Sequence, residues 1–378
     1  GKDVSVILQE GAAAMAGAVD GPLSKQVNAQ DVSNALWGLA HFDWYDAGVI
    51  RALADELVKH VSRCNSQDCS NTLWALAKLS WYEEGVVSEL AGTAVKRVSN
   101  SAPQALSNNL WSLSTLGWYE CAVYDELLAG LFKGPEQPKP QHFSNAILSC
   151  ATASHSGAAV NALAGLVSKL SLSSWAAQAV ANSLYAWSVL SLLGMASPEL
   201  NGMASALFSE ANNRGTAAFS NPLDSCQLYT AHMEAERVGL QGGGLDTASG
   251  LQQVAAEEFK QCQAGLREEL RARDTAGRKQ AVFALEQAGF RVELGAAVWG
   301  DGFVVDLLVW YESCSSAAAV DVASEGAFFN HPCGQLSGKV AAVHAQIRQR
   351  CKLVVLSEEE ARQPGVVVGA VQRELARP

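Results

Sequence analysis

Apolar residues in the first half of the chain recur with a helical period. From Gln30 to His41 they fall at Val32, Ala35, Leu36, Leu39 and Ala40, spacings of three and four that make one stripe of an amphipathic helix. A second stripe, Val49, Leu53, Leu57 and Val61, predicts another helix over about Asp46–Val61. The pair then repeats. Gln30-Asp-Val-Ser-Asn34-Ala-Leu-Trp37 returns at Gln67–Trp74 and Gln104–Trp111, and in altered form at Gln141–Leu148 and Gln178–Tyr185, each copy 37 residues after the last. Pro103 and Pro140, also 37 apart, stand where a first helical turn accepts proline. One such pair cannot bury both its apolar stripes, so stacked copies must share a core.

A second marker follows seven residues after the first three tryptophans, at Trp44-Tyr45, Trp81-Tyr82 and Trp118-Tyr119. His155 and Leu192 take the first place of that marker in copies four and five, and a degenerate sixth copy is expected near Leu223–Thr230. Residues 1–27 read as the end of a preceding repeat, in a chain already processed or cut from a longer one.

From about residue 233 the pattern changes. Glycines at 239, 242, 243, 244 and 250 predict a linker over 233–250. Helices are predicted over Leu251–Arg273 and Gly277–Ala288, then strands over Phe290–Leu294, Phe303–Trp310 and Ala317–Val322. A helix over Leu336–Arg350, a strand over Lys352–Leu356 and a helix over Val367–Leu375 follow. The almost wholly apolar second strand is what a strand covered on both faces requires. The expected organisation is mostly α: an α-solenoid of helix pairs over 28–232, the linker, and a small α/β domain over 251–378.

On a helical wheel Gln30, Asn34, Trp37 and His41 share a stripe opposite the apolar one. Stacking would align Gln30, Gln67, Gln104, Gln141 and Gln178 in one column, and Asn34, Asn71, Asn108, Asn145 and Asn182 in the next. A variable column of His41, Lys78 and Thr115 follows. An invariant rung beside a variable one is what a modular reader of single-stranded RNA needs. The competing reading is structural: such amides often bridge the backbones of neighbouring repeats. The tryptophan column is expected to pack between repeats, with base stacking as the alternative.

Charge weighs against a general electrostatic grip on phosphates. The chain carries a net charge of −11, with 12 basic against 19 acidic residues over 1–230 and 15 against 19 beyond. Phosphate contacts must then come from scattered cations such as Arg51, Lys59, Lys78, Lys96 and Arg97. Nine cysteines with no C-x-x-C pair suggest reduced thiols and no zinc site. No apolar run reaches the length of about 18 residues that a membrane span needs.

The pattern Gln-x-x-Ser-Asn-x-Leu-Trp-x-Leu-Ala/Ser at this period resembles the octotricopeptide repeat family of green-algal organelles, over about residues 28–212. The resemblance implies a helix-pair repeat in a nucleus-encoded protein that reaches a mitochondrion or chloroplast, its targeting peptide removed, and acts there on organellar RNA. The C-terminal region resembles the RAP domain, a small restriction-endonuclease-like fold, through Gly289, Glu293, Asp306, Asp321, Phe328, Asn330, Gly338 and Lys339. The family's Glu-Val-Asp-Gly-Pro-x-His-Phe run stands here as Asp321-Val-Ala-Ser-Glu-Gly-Ala-Phe328, so a third acid, a glycine, a proline and a histidine are replaced.

Three functions follow as expectations. The first is an organellar RNA-binding protein, without enzymatic activity, metal or cofactor, that holds RNA at the Gln and Asn columns with His41 and Lys78. The second is a scaffold for RNA and ribosomal proteins in an organellar ribosome. The third is an endonuclease with Asp306 and Asp321 as metal ligands and Lys339 as the cation.

Overall fold

The computed structural model describes residues 17, 27–133, 136–298, 303–310, 317–323, 327, 336–348 and 351–377. Residues 1–16 and 18–26, Phe328 and Asn330 lie outside them, and with them most of the expected preceding repeat. The described chain is mostly helical with one small mixed sheet, and divides into two compact units. The first holds the described residues to Ala186 with Ser197–Met203. The second holds Trp187–Ala196 and the described residues from Ala204 on.

In the first unit the helices come in pairs: α1 (Ala29–His41) with α2 (Ala47–His60), α3 (Ser66–Lys78) with α4 (Glu84–Lys96), α5 (Pro103–Thr115) with α6 (Cys121–Gly130), and α7 (Pro140–Thr152) with α8 (Ala158–Val167). The leading helices α1, α3, α5 and α7 pack side by side in one layer, and α2, α4, α6 and α8 in another. Val32, Leu36, Leu53 and Leu57 and their counterparts fill the space between, fully buried. Each such side chain contributes about 1.5–3 kcal/mol by leaving water.

The caps show why the period holds. Asn28 and Asn65 make reciprocal capping boxes with Asp31 and Asp68, whereas α5 and α7 start on Pro103 and Pro140. Each leading helix ends in a Schellman turn. The amide of Trp44 donates to the Leu39 carbonyl, Trp81 to Leu76, Trp118 to Leu113 and His155 to Cys150. The residue before each takes a left-handed conformation: Asp43, Ser80, Gly117 and Ser154, with φ of 50, 51, 64 and 54°. The Trp marker is thus the residue just past the turn, and Trp81 and Trp118 are buried there. His155 fills the same slot in copy four. Copy five differs from the sequence expectation. Its helix α9 (Ala177–Leu192) has 16 residues rather than 13 and turns at Gly194, so Met195 rather than Leu192 takes the slot.

A left-handed L-residue costs about 1–2 kcal/mol more than glycine, less what glycine loses in chain entropy. Ser80→Gly is therefore expected to stabilise the protein by about 0.5–1 kcal/mol, and Gly117→Ala to destabilise it by about 1 kcal/mol. Urea midpoints of the two variants moving the same way would contradict this account of the turn.

Two further helices follow, α10 (Pro198–Arg214) and α11 (Pro222–Val238), both starting on a proline as α5 and α7 do. The segment expected as a linker is not free. Residues 233–238 are the last turns of α11, and the glycine-rich stretch after it is pinned. The Leu245 amide donates to His232 Nδ1 at 3.1 Å, Asn212 donates to the Gly244 carbonyl at 3.0 Å, and Ser205 to the Gln241 carbonyl at 2.7 Å.

Beyond it stand α12 (Leu251–Ala272), α13 (Ala276–Gln287), β1 (Arg291–Val298), β2 (Phe303–Trp310), β3 (Ala317–Ala323), α14 (Gly338–Arg348), β4 (Lys352–Ser357), α15 (Glu358–Ala361) and α16 (Pro364–Ala376). The sheet order is β1-β2-β3-β4, antiparallel except for the parallel β3–β4 pair. Both faces are covered. Leu307, Val309, Val320 and Leu356 meet α13 and α16, while Val305, Ala319 and Leu353 meet Phe259 of α12 and Ile347 of α14. Val305 and Leu307, two residues apart, pack on opposite faces, so alternation in β2 slips by one at Asp306. In β1 it slips at Gly295, the residue facing Asp306 in the register. Gly295 has φ of 54°, and a Cβ there would lie 2.9 Å from the Arg267 carbonyl of α12.

Candidate functional site

The side-by-side helices α1, α3, α5 and α7 each place their Gln and Asn positions at the surface or partly exposed, and α9 repeats the pattern at Gln178 and Asn182. Gln30, Gln67, Gln104, Gln141 and Gln178 are all exposed, as is Asn34, while Asn71, Asn108, Asn145 and Asn182 are half-buried. None of these ten side-chain amides has a hydrogen-bond partner among the described residues. The bridging role considered for them is filled by other groups. Arg97 donates from Nε to the Cys64 carbonyl at 3.2 Å and from Nη2 to the Ser62 carbonyl at 3.0 Å. Ser70 Oγ donates to the Ala105 carbonyl, and Trp118 Nε1 to Ser88 Oγ. Arg97 is therefore an inter-repeat clamp rather than the free cation expected from the sequence. Lys59 is likewise paired, 2.7 Å from Glu56.

The tryptophans meet between repeats, as Trp37 does Trp74, but at the surface rather than in the core. Trp37 is 42% exposed, and Trp74 and Trp111 are half-buried on the same face as the amides. The ring centroids of Trp37 and Trp74 lie 6.4 Å apart, and His41 stacks on Trp37 at 5.0 Å. The wheel explains this: seven residues bring a helix within about 20° of two full turns, so Trp37 must follow Gln30. His41 and Lys78 are exposed at the next level, with Lys78 4.0 Å from Asp43.

Charge is distributed unevenly between the layers. The five leading helices α1, α3, α5, α7 and α9 hold only Asp31, Asp68 and Lys78 as formal charges, both acids being used in capping boxes. The helices α2, α4, α6 and α8 hold six acidic and three basic residues. The net negative charge of this region thus lies away from the amide columns.

The second unit holds a cleft that the sequence did not suggest. Arg271, Arg273, Arg278, Lys279, Phe283 and Leu294 line about 530 Å³, together with Asp274, Glu286 and others. Phe283 is 63% exposed. Lys279 pairs with Asp274 at 2.6 Å and Arg271 with Glu268 at 3.3 Å. Four of the cations fall within nine residues, a cluster visible in the sequence. Only the fold adds Phe283 and Leu294 to it.

Asp306 is fully buried beneath this cleft. Its Oδ2 accepts from the Val322 amide at 3.1 Å and lies 3.4 Å from Arg273 Nη1, and Oδ1 lies 3.4 Å from Arg278 Nε. Burial, and next the nearby Asp321 carboxylate, push its pKa up, while the two guanidinium groups pull it down. Asp321 is taken by His344, whose Nε2 is 2.6 Å away. Burial pulls the Lys339 pKa down. The two acids proposed as metal ligands are thus each engaged by a basic side chain, and the described residues contain no cluster of three or more His, Cys, Asp or Glu able to hold a metal. Glu293 meets Arg267 at 3.3 Å, Gly289 forms the left-handed end of α13, and Gly338 opens α14. No helix among the described residues is long and apolar enough to cross a membrane.

No protein-family model and no curated protein sequence matches this chain.

Proposed function

We propose that the protein is a non-enzymatic RNA-binding protein of an organelle, an α-solenoid of octotricopeptide-type repeats followed by a RAP-like domain of restriction-endonuclease-like fold. One observation carries the reading: the Gln and Asn side chains of the side-by-side helices α1, α3, α5 and α7 have no hydrogen-bond partner among the described residues and share a face with Trp37, Trp74 and Trp111, the first of them exposed. Unpartnered amides present both donors and acceptors to a base edge, and neighbouring indoles offer stacking surfaces. The face has little charge with which to hold phosphates. In the second unit Arg271 and Lys279, whose ion pairs with Glu268 and Asp274 are solvent-exposed, are the cations nearest the exposed Phe283. The bound molecule is an organellar mRNA or ribosomal RNA. The acidic second layer favours a second reading, in which the protein is a ribosomal scaffold with organellar ribosomal proteins on that layer.

Crosslinking in the organelle followed by sequencing of attached RNA tests this. A dominant RNA site is expected. Binding of that RNA should weaken about 10- to 100-fold in the Asn71→Ala, Asn108→Ala double variant, the loss of about two hydrogen bonds, with an unchanged salt slope. Arg271→Ala and Lys279→Ala should each reduce the slope of log K against log salt by about 0.7. Crosslinks confined to ribosomal RNA would select the scaffold. Absence of any enriched RNA would overturn both readings.

A further inference from the structure

The helix pair α11 and α12 places two thiols together that play no part in the RNA reading. The two helices run antiparallel: Gln252 Nε2 is 2.9 Å from His232 Nε2, and the rings of Phe259 and Tyr229 are 5.3 Å apart. Continuing that register, Cys226 stands opposite Cys262. A hydrogen bond locates its sulfur directly. Cys226 Sγ donates to the Glu258 carbonyl at 3.4 Å, and in α12 that carbonyl is the one to which the Cys262 amide bonds four residues on. A cysteine side chain is one methylene long, so a sulfur touching the facing backbone brings the two helices to a spacing that a disulfide spans. Cys262 is exposed, and Cys226 is half-buried behind it.

We propose that Cys226 and Cys262 form a reversible disulfide between α11 and α12, made by exchange with a low-molecular-weight disulfide. The exposed Cys262 reacts first. It gives its proton to solvent, and its thiolate attacks one sulfur of the small disulfide, forming a mixed disulfide and releasing one small thiolate. Cys226 then loses its proton and attacks Cys262 Sγ, releasing the second. Two protein thiols are oxidised by two electrons, and the small disulfide is reduced to two thiols. Burial, and then the hydrogen bond and charge of Cys262, push the Cys226 thiol up to about 12. Capping Cys262 removes the last two of these influences, so the first step prepares the second. The product ties α12, whose Arg267 donates to the Gly295 carbonyl at 3.0 Å, to α11.

The full chain is incubated in glutathione buffers of graded oxidised-to-reduced ratio, remaining thiols are alkylated, and tryptic peptides are weighed. Arg237 and Lys260 separate the two cysteines, so the bridge appears as one linked peptide two hydrogens lighter than its parts. That species is expected, with a melting temperature raised by roughly 5–10 °C and restored by dithiothreitol. In Cys226→Ser, Cys262 should stop as the glutathione mixed disulfide. Three results would overturn the proposal: a wild-type protein that stops at the same mixed disulfide with Cys226 still alkylatable, pairing of Cys262 with another cysteine, or no oxidation at either residue.

Discussion

Asp306→Ala is expected to cost the second unit about 3–5 kcal/mol, enough to remove most of the stability of an ordinary domain. The loss comes from the partners more than from the carboxylate. Arg278 keeps 4% of its side chain exposed, and without Asp306 its charge is buried with no counter-ion. The Val322 amide loses its acceptor, and so does one link between β2 and β3. Asp306→Asn keeps an acceptor for Val322 and should cost roughly half as much. Asp306→Leu combined with Arg278→Met should recover most of the stability, because replacing a whole buried pair by apolar groups is far cheaper than breaking it. Denaturant unfolding of the four proteins closes this cycle. A stable Asp306→Ala would mean that the two arginines find other partners, and would reopen a role for the acid as a metal ligand.

The second large effect is a loss of stability in mild acid. His142, His155 and His232 all have their pKa lowered below 6.5, in each case chiefly by burial. The bonding of two of them agrees, since His142 and His232 each take a backbone amide hydrogen at Nδ1, which leaves that nitrogen unprotonated. His142 accepts from the Lys139 amide at 3.1 Å and His232 from the Leu245 amide at 3.1 Å; His155 Nδ1 lies 3.0 Å from the Tyr119 hydroxyl and its Nε2 3.2 Å from Asp125. The unfolded chain takes up protons near pH 6.5 and the folded chain does not. The stability due to these groups is therefore complete above that value and lost as pH falls towards the lowered folded values. Each contributes a slope approaching about 1.4 kcal/mol per pH unit. Urea midpoints measured from pH 7.5 to 5 should fall progressively below 6.5, and His155→Gln should remove about one proton's share. A flat profile would show that the folded protein protonates these rings freely.

The parts of this molecule legible in its sequence were those encoded locally. The Gln and Asn positions of each repeat, with proline in the third and fourth, fix the start of a helix and one of its faces, so the 37-residue period locates the leading helices to within a residue or two. The apolar run at Phe303–Trp310 likewise marked a strand covered on both sides. The spacing of Trp37 from Gln30 puts it on the polar face, so its packing between repeats takes place at the surface, against Trp74, and leaves it 42% exposed. The marker of copy five escapes the pattern because its turn glycine, Gly194, lies three residues later than the period predicts. Arg97 and Arg278 look like any other exposed cations until the fold brings carbonyls or a buried acid to them. The cleft at Phe283 depends on β1 passing beside α13, and the Cys226–Cys262 pairing on how α11 meets α12, neither of which a local pattern specifies.

The near-neutrality of the leading-helix face also bears on kinetics. Such a surface exerts almost no long-range pull on a polyanion, so an RNA binding there as proposed would meet it at the unsteered rate of about 10⁵–10⁶ M⁻¹s⁻¹ whatever its nucleotide sequence. Discrimination between sequences must then lie in how long a complex survives once formed. For the RNA reader proposed above, binding would be slow to start and selective in what it retains.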